Sequence, residues 1–269
     1  MKLSLEFLGS GTSVGVPMIG CDCAVCKSTD PLNKRLRSSV LVRGYDNAGN
    51  VKTTVVIDTS PDFRTQMLRA DVRHVDAVII THFHADHVVG IDDIRRYNMI
   101  QNAVIDCWAT PATQESLNRS FGYIFSNTEN MRYGLPGLKP RTITIGEPFE
   151  IGCIRFEPME LDHQIIKNTG LRISVRGGDA ISYCLDVKRI PPQSYKALQG
   201  THTLVLDMLR EKTHLTHMNL HEAMEAIKII QPKRTWFGHM SHEVDHRLFE
   251  SSLPPEIRLA YDGLVIHMD

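Results

Sequence analysis

The strongest constraint on the fold is the segment Thr81–His87, Thr-His-Phe-His-Ala-Asp-His, which directly follows the apolar run Val75–Ile80. The run predicts a buried strand, because apolar residues dominate it and a polar cluster ends it abruptly. A strand that ends in several imidazoles and a carboxylate brings these side chains to one edge of a sheet. Imidazole nitrogen and carboxylate oxygen both bind zinc and its first-row neighbours. The segment therefore predicts a metal site at a strand end.

The spacing within this segment divides the candidate ligands between two ions. His82 and His84 point the same way, because side chains two residues apart on extended backbone share a face. Asp86 and His87 lie beyond the turn and can reach a second ion. The alternative is a polar loop that is merely rich in histidine. Clustered histidines without a common partner are energetically costly, so a metal site is favoured.

Three later segments offer ligands of the same types, each at the end of an apolar run. They contribute His163, Asp186 and His239. His163 considered by itself has the alternative of a solvated loop side chain. Two ions about 3.5–4 Å apart that share a carboxylate form a dinuclear hydrolase site. We predict two ligand sets with Asp186 between them: His82, His84 and His163 for one ion, and Asp86, His87 and His239 for the other.

Charge and hydropathy argue against several classes of protein. The chain carries 30 basic and 31 acidic residues, so it has no net field to attract nucleic acid or an anionic membrane. No apolar stretch approaches the ~20 residues that span a bilayer. The first eight residues alternate like a strand and lack the apolar core of a signal peptide. These observations predict a cytoplasmic protein without a membrane partner, and make a nucleic-acid partner unlikely.

Strand-like segments occur in two batches, each followed by helices, and no linker separates them. This pattern favours two sheets packed face to face with helices outside, in a single domain over residues 1–269. Helices are predicted at about 58–71, 86–97, from 110 onward, and 219–230. Strands are predicted at 3–8, 38–43, 53–58, 75–80, 104–108, 141–145, 154–158, 171–175, 180–185, 203–206, 235–237 and 264–267.

The ordered ligand series resembles that of the metallo-β-lactamase-fold hydrolases over almost the whole chain. The resemblance implies an α/β fold, a four-layer αββα sandwich of two mixed β-sheets with the site at one edge. His84 stands where the di-iron oxygen-reducing branch has glutamate, and Asp186 stands where many true β-lactamases have cysteine. Both residues favour a dinuclear hydrolase with two divalent ions, for which zinc and manganese are both suitable.

The amino-terminal region carries a second group of metal ligands, Cys21, Cys23 and Cys26, which indicates a reducing compartment rather than a disulfide framework. With the glycine-rich loop at 9–17, it is similar to the phosphoribosyl cyclic phosphodiesterases of the carbon–phosphorus lyase pathway. That resemblance implies a separate structural zinc bound by the three thiolates and His242. Three thiolates and an imidazole form a closed tetrahedral set. His246 is the competing fourth ligand, and surface thiols without metal are the alternative.

The glycine-rich loop itself has two interpretations. Its backbone donors could bind a phosphate, or the loop could be a tight surface turn. Three arginines could also engage a substrate phosphate, since the guanidinium fork matches that geometry, and the sequence does not choose among them. They are Arg37, Arg172 and Arg176.

The predicted site indicates hydrolysis of a phosphodiester. A hydroxide bound between two cations is nucleophilic at neutral pH, because the metals lower the pKa of water to about 7. The leaving alkoxide then needs a proton. His217 is the candidate donor, with Asp207 to orient it and His214 as the fallback. Related phosphodiesterases and transfer-RNA 3′-processing endonucleases have a comparable histidine before a helix; the alternative is a helix cap or a solvated side chain.

The sequence thus predicts a metal-dependent phosphodiesterase that acts on a small, cyclic, ribose or nucleotide phosphodiester, with Asp86 essential for turnover. Transfer-RNA 3′ processing uses the same chemistry, but the balanced charge disfavours it. Hydrolysis of a thioester or lactam would keep the same site. A non-catalytic accessory protein of cofactor biosynthesis would bind only the structural zinc. The aromatic-rich segment 121–140 predicts a substrate lid, a homodimer contact or packing onto its own domain.

Overall fold

The computed structural model describes residues 1–125 and 134–268. Its described strands form two sheets of seven. The first sheet contains β1 (Lys2–Gly9), β2 (Ser39–Tyr45), β3 (Val51–Ile57), β4 (Ala77–Ile79), β5 (Ile105–Ala109), β6 (Leu138–Thr142) and β14 (Val265–Met268). The second contains β7 (Phe149–Ile151), β8 (Ile154–His163), β9 (Ile166–Val175), β10 (Ile181–Cys184), β11 (Thr203–Asp207), β12 (Arg234–Gly238) and β13 (Ile257–Leu259).

Each sheet is half antiparallel and half parallel. The first has the order β14-β1-β2-β3-β4-β5-β6, antiparallel from β14 to β3 and parallel from β3 to β6. The second has the order β13-β12-β11-β10-β9-β8-β7, antiparallel from β7 to β10 and parallel from β10 to β13. Parallel strands have their carboxyl ends at the same edge, so the loops that follow them converge there.

Alternating apolar side chains place one core between the sheets and another on the outside of each sheet. On β2, Val40 and Val42 pack between the sheets, whereas Leu41 packs outward against helices. On β9, Leu171 and Ile173 face the same inner core. A third cluster covers the outer face of the second sheet. The predicted four-layer αββα sandwich of two mixed sheets is therefore confirmed.

Helices cover the outer faces of both sheets. The described helices are α1 (Ala24–Lys27), α2 (Phe63–Arg69), α3 (Ala85–Val88), α4 (Arg95–Gln101), α5 (Pro111–Phe125), α6 (Pro192–Leu198), α7 (Leu220–Ile230) and α8 (His246–Glu250), with 3₁₀ turns at Pro31–Asn33 and Val89–Ile94. Of these, α2, α4 and α5 pack on the first sheet, and α6, α7 and α8 pack on the second. No helix in the described ranges is long and apolar enough to cross a membrane.

Two predicted helices are shorter than their sequence pattern suggested. The helix expected from residue 58 begins only at Phe63, because residues 58–60 form a loop whose Thr59 N–H donates to the His87 carbonyl. The helix expected over 86–97 is interrupted by the 3₁₀ turn. At Gly90 an added Cβ would lie 2.1 Å from the Ser60 carbonyl oxygen, so this loop packs directly against the interrupted helix. The close approach of the two segments explains both differences.

The remaining differences lie in short helices, at sheet edges and near residue 130. The short strands β7 and β13 and the helices α1, α6 and α8 were not predicted, and the strand expected at 141–145 lies at 138–142. Residues 121–125 belong to α5, which is kinked at Phe121. The central part of the predicted lid or dimer contact, including Met131 and Tyr133, lies outside the described residues.

Candidate metal centre

The candidate site lies at the edge where the strands of both sheets end. The His-rich segment follows β4, and Asp58 follows its parallel neighbour β3. From the second sheet, β8 ends at His163, Asp186 follows β10, and β11 ends at Asp207. His239 directly follows β12. The predicted ligands come from distant parts of the sequence, and the fold brings them together because these strand ends share one edge.

The two predicted ligand sets are two clusters in the structure. One ligand atom from each residue of a cluster lies within 4.8 Å of all the others in it. Asp186 belongs to both clusters, in the position expected of a shared carboxylate. The first cluster contains His82, His84, His163 and Asp186, and the second contains Asp86, His87, Asp186 and His239.

Hydrogen bonds to the protein fix three of the imidazole rings through Nδ1. His87 Nδ1 donates to Asp58 Oδ2 over 2.7 Å, and His163 Nδ1 donates to the Thr216 carbonyl over 2.9 Å. His82 Nδ1 lies 3.0 Å from Thr81 Oγ1, which itself donates to Asp58 Oδ2. A ring that donates from Nδ1 keeps the lone pair of Nε2 for a metal, which is how protein groups behind a metal ligand set its tautomer.

Asp58 is a residue of the site that the sequence reasoning missed. It was assigned to a helix start, but its side chain accepts hydrogen bonds from the backbone and hydroxyl of Thr81 and from His87. It is fully buried and has a φ of 65°, in the left-handed region. Its position at the end of β3, beside the strand that carries the His-rich segment, was the available signal.

Charges within the site favour the metal-binding form of several candidate ligands. His87 is an exception, since burial alone would lower its pKa but the surrounding carboxylates raise it well above the ordinary value. Burial and the charge of His87 hold the pKa of His82 well below its ordinary value, and burial lowers the pKa of His163, so both rings are neutral. Burial alone would raise the pKa of Asp186, but the charges of His239 and His87 hold it well below the ordinary value. Neutral imidazole and ionised carboxylate are the ligand forms of zinc and manganese sites.

Unsatisfied oxygens provide a test of whether these residues fit a metal. Asp86 Oδ2 lies 3.2 Å from His87 Nε2, and Asp186 Oδ1 lies 2.6 Å from His239 Nδ1. Both oxygens are buried, yet neither accepts a hydrogen bond. Buried polar atoms without partners are rare in native proteins unless an ion or water satisfies them. Two buried carboxylate oxygens without hydrogen-bond partners, beside the rings of other candidate ligands, fit divalent cations, so the residues present suit the metal ions that the sequence predicts.

His217 lies beside this cluster and is held by Asp207. Its Nδ1 donates to Asp207 Oδ2 over 2.8 Å, and its ring centroid lies 4.7 Å from that of His239. Burial alone would lower the pKa of His217, but the charge and hydrogen bond of Asp207 raise it to about 9. By contrast, burial lowers the pKa of His214. The geometry therefore favours His217 over the fallback His214 as a proton donor at neutral pH.

The three clustered cysteines meet His242, as the resemblance implied. Cys21 Sγ and Cys23 Sγ lie 3.3 and 3.4 Å from His242 Nδ1, and Cys26 completes a group whose ligand atoms lie within 4.8 Å of one another. A backbone N–H of Cys26 and a hydrogen bond with His242 lower the pKa of Cys23 to about 6. His246, the competing candidate, is buried at the start of α8, where its backbone N–H donates to Asn33.

The glycine-rich loop packs against the candidate metal centre through residues 9–12, and residues 12–15 form a tight turn with Ser13 and Val14 exposed at its tip. Thr12 Oγ1 lies 3.3 Å from His239 Nε2, and Ser38 Oγ, which donates to the Gly11 carbonyl, lies 3.0 Å from His239 Nδ1. At Gly11 an added Cβ would lie 2.8 Å from the Arg35 Cβ. The glycine allows the loop to approach Arg35 closely, and the loop in turn holds His239.

The three candidate arginines lie in different surroundings. Arg172 donates to the backbone carbonyls of Ala197 and Gln199 at the end of α6. Arg176 follows the far end of β9, away from the end where His163 lies. Arg37 alone is close to the centre in sequence and space, since it precedes Ser38 and forms an ion pair with Asp62 over 3.2 Å. A phosphate-binding role for Arg172 or Arg176 is therefore inconsistent with their positions.

Comparison with known proteins identifies the family. Residues 53–240 match the model of the β-lactamase superfamily domain. The chain belongs to the β-lactamase superfamily. Its structure matches that of a diphosphatase from the PhnP family, with a TM-score of 0.88, 37% identity, and coverage of 99% of this chain and 97% of the other. The family and its metallo-β-lactamase fold agree with the sequence prediction.

Two further proteins are similar to this chain, one in structure and one in sequence. Zinc-bound PqqB from Methylobacterium extorquens matches with a TM-score of 0.77 at 19% identity, over 98% of this chain and 99% of that one, which shows the fold alone. An octanoyltransferase from Porphyromonas gingivalis is 33% identical over 264 residues. That match covers 97% of this chain but 51% of the transferase, so the chain spans about half the length of this relative.

Proposed function

We propose that the chain is a metal-dependent phosphodiesterase that hydrolyses a small, cyclic, ribose or nucleotide phosphodiester. The observation that carries the proposal is the Asp207–His217 pair beside the carboxylate shared by the two ligand clusters. Asp186, Asp207 and His217 each offer an atom within 4.8 Å of the others. A carboxylate-held, protonated imidazole next to a two-ion site matches what a diester with an alkoxide leaving group requires.

In this proposal, His82, His84, His163 and Asp186 hold one ion, and Asp86, His87, Asp186 and His239 hold the other. Two divalent ions there, zinc or manganese, would supply a nucleophile at neutral pH and offset charge on the phosphoryl oxygens. Residues of the chain orient the candidate ligands and the proton donor. Asp58 fixes the His87 ring, and Asp207 fixes the His217 ring. Nδ1–H of His217 is hydrogen-bonded to Asp207, so the proton given to the leaving oxygen is the one on Nε2.

Two other features support a small substrate and an intracellular enzyme. The PhnP-family diphosphatase, similar over 99% of this chain, is an enzyme named for phosphate chemistry, whereas the balanced charge of 30 basic and 31 acidic residues provides no broad surface for RNA. All six cysteines are free thiols, and three of them face His242, where we propose a structural zinc. Free thiols favour a reducing compartment such as the cytoplasm.

The name of that diphosphatase favours a second candidate, a linkage between two phosphates. The chemistry of the leaving group separates the two. A phosphate leaves as a weak base and needs little protonation, whereas a ribose alkoxide is a strong base and needs an acid. The Asp207–His217 pair, which holds an imidazole as a proton donor, therefore favours the ribose ester over the diphosphate.

The octanoyltransferase relative favours a third candidate, an acyl ester or thioester substrate. An octanoyl group is apolar, and its hydrolysis would use the same ions. This candidate keeps the metal centre but needs a site for an acyl chain, so a panel of substrates can separate it from the phosphodiester.

The test is a hydrolysis panel on the metal-loaded protein. It contains 2′,3′-cyclic nucleotides, a ribose 1,2-cyclic phosphate, a linear diester, a nucleoside diphosphate, precursor transfer RNA, an octanoyl thioester and a lactam. We expect turnover of a cyclic diester at a kcat/KM well above that of every other substrate. Turnover of only the thioester or lactam would refute the phosphodiesterase proposal.

A matched variant makes the panel specific to the centre. Asp86→Asn keeps the shape of a candidate ligand but removes its charge, so we expect loss of turnover without unfolding of the protein. Elemental analysis should show about three metals per wild-type chain. One metal per chain, lost in Cys23→Ser, would instead indicate an accessory protein that binds only the structural zinc.

A further inference from the structure

The segment Asp186–Lys188 connects the metal centre to the proton donor. Asp186 belongs to both ligand clusters. The Val187 N–H donates to Asp207 Oδ2 over 2.9 Å, and the Val187 carbonyl accepts from Met218 N over 2.9 Å. Lys188 continues the series, because its Nζ lies 3.4 Å from the His217 carbonyl and 2.5 Å from Glu222 Oε1. Of these three consecutive residues, the first is the carboxylate shared by the two ligand clusters, the second contacts the carboxylate of Asp207, and the third contacts the backbone of His217.

We propose that the Lys188–Glu222 ion pair is a positioning device for His217, which aligns its proton with the leaving group. The inference rests on the proposed function for its kinetic consequence. Neither residue is a catalytic residue, since both act through the backbone around His217.

The position of His217 explains why such a device is needed. The residue lies in the connection between β11 and α7, and its hydrogen bond to Asp207 fixes one end of the ring. Rotation about that bond would move Nε2 unless the backbone is also held. Lys188 holds the His217 carbonyl, and Glu222 Oε2 accepts from the N–H of Asn219, two residues later. The ion pair thus fixes the chain on both sides of Met218.

Helix capping alone does not account for Lys188. The capping box at the start of α7 consists of Asn219 and Glu222, whose side chains each accept from the other's backbone N–H. This motif is complete without a lysine. The Lys188 side chain is 21% exposed, and a partly exposed ion pair contributes little to folding. A contribution to alignment, rather than to stability, is the role that its contacts support.

The experiment compares Lys188→Met with Lys228→Met. Lys228 also pairs with a glutamate of α7, Glu225, over 2.6 Å, but on the exposed side of the helix. For Lys188→Met we expect kcat to fall about 10-fold or more with an alkoxide leaving group, because a small misplacement of a reacting group is costly. KM, metal content, and kcat with a 4-nitrophenolate leaving group should stay within about twofold. Lys228→Met should change none of these quantities.

A double-mutant comparison separates alignment from general damage. In the His217→Ala background, Lys188→Met should cause no further loss with the alkoxide substrate, because the aligned group is already absent. An additional 10-fold loss there would overturn the proposal. Equal losses for both leaving groups in Lys188→Met would overturn it as well. Lys188→Arg, which keeps the charge and a donor, should recover at least part of the kcat.

A final readout does not depend on any substrate. The Nδ1 proton of His217, assigned by its loss in His217→Ala, should exchange with water faster in Lys188→Met than in wild type, measured by proton NMR. Unchanged exchange would refute the positioning role even if the kinetics were as expected. If the wild type hydrolyses no diester, the proposed function fails, whereas faster exchange would still support the role of the ion pair.

Discussion

Replacement of Asp207 by asparagine provides the sharpest test of the proton donor. Asp207 is fully buried, and its Oδ2 accepts from both His217 Nδ1 and the Val187 N–H. An asparagine has nearly the same shape and can place its amide oxygen where Oδ2 lies. Asp207→Asn therefore removes the charge while it preserves the hydrogen-bonding geometry as far as a substitution can.

The magnitude follows from the pKa of His217. Burial lowers this pKa, and the charge of Asp207 is the main cause that raises it to about 9. Without that charge we expect a pKa at or below the ordinary value of about 6.5, because burial remains. At pH 7.5 the protonated fraction of His217 would fall from about 97% to about 9% or less. Since only the protonated ring can act as an acid, the rate should fall about 10-fold when the leaving group needs a proton.

The assay measures kcat against pH for two diesters that differ in the leaving group. A group whose folded pKa is raised holds its proton below that pKa and loses it above. As pH rises, wild-type kcat for the alkoxide substrate should therefore stay constant to about pH 9. In Asp207→Asn, kcat should already decline above about pH 6.5. With 4-nitrophenolate, which needs little protonation, the two profiles should coincide near pH 7.5.

Two results would refute this reasoning. If Asp207→Asn slowed both substrates equally, Asp207 would support the site in general rather than the acid. If the alkaline decline stayed near pH 9, the charge of Asp207 would not set the pKa of His217. The metal content of both proteins serves as the control, because Asp186 lies close to the pair.

Three further predictions concern the surroundings of the centre. Asp58→Asn should weaken metal binding about 10- to 100-fold, measured by competition with a chelator, because it disturbs the groups that orient His87; unchanged affinity would exclude that role. Cys23→Ser should remove about one zinc per chain in elemental analysis and lower the thermal midpoint, whereas Cys153→Ser, remote from the cluster, should not change the zinc content. Arg35→Met should lower the free energy of unfolding by about 3–5 kcal/mol in urea titration, because two carbonyls lose a buried guanidinium donor; a loss below about 1 kcal/mol would contradict this.

The sequence predicted the layers of the fold because alternating apolar residues report which faces of a strand are buried. Leu41 and its neighbours Val40 and Val42 show this, since they pack in opposite directions from β2. The boundaries of helices were less predictable. The helix over 86–97 has a regular pattern, but the contact of Gly90 with the Ser60 carbonyl interrupts it, and that contact joins segments about 30 residues apart. The pattern of apolar residues within one segment does not reveal its contacts with a distant segment.

The candidate ligands were predictable because each has a ligand side chain at the end of an apolar run. Their grouping into two clusters that share Asp186 agrees with the structure, although their roles as ligands stay a prediction. Asp58 and Lys188 were not found, for a physical reason. Both act through hydrogen bonds to residues that are distant in sequence, His87 and His217, so the sequence does not reveal these partners, although Asp58 does follow an apolar run.

Backbone strain at the strand ends links the fold to the site. Asp58, Asp186 and His239 have φ values of 65°, 54° and 59°, in the left-handed region that glycine favours. Each such residue costs roughly 1–3 kcal/mol and persists only where the surroundings hold it. Asp58 and His239 directly follow β3 and β12, and Asp186 lies two residues after β10; all three strands take part in the parallel half of a sheet.

A left-handed residue at a strand end turns the chain sharply, so its side chain can turn toward the shared edge instead of continuing the alternation of the strand. The hydrogen bonds of Asp58 with Thr81 and of Asn168 with the Asp186 carbonyl hold two of these turns. Glycine would remove the strain but also the side chain. The same strained turn thus recurs at three strands because it brings a carboxylate or imidazole to the site, and the hydrogen-bonded shell around it offsets the cost.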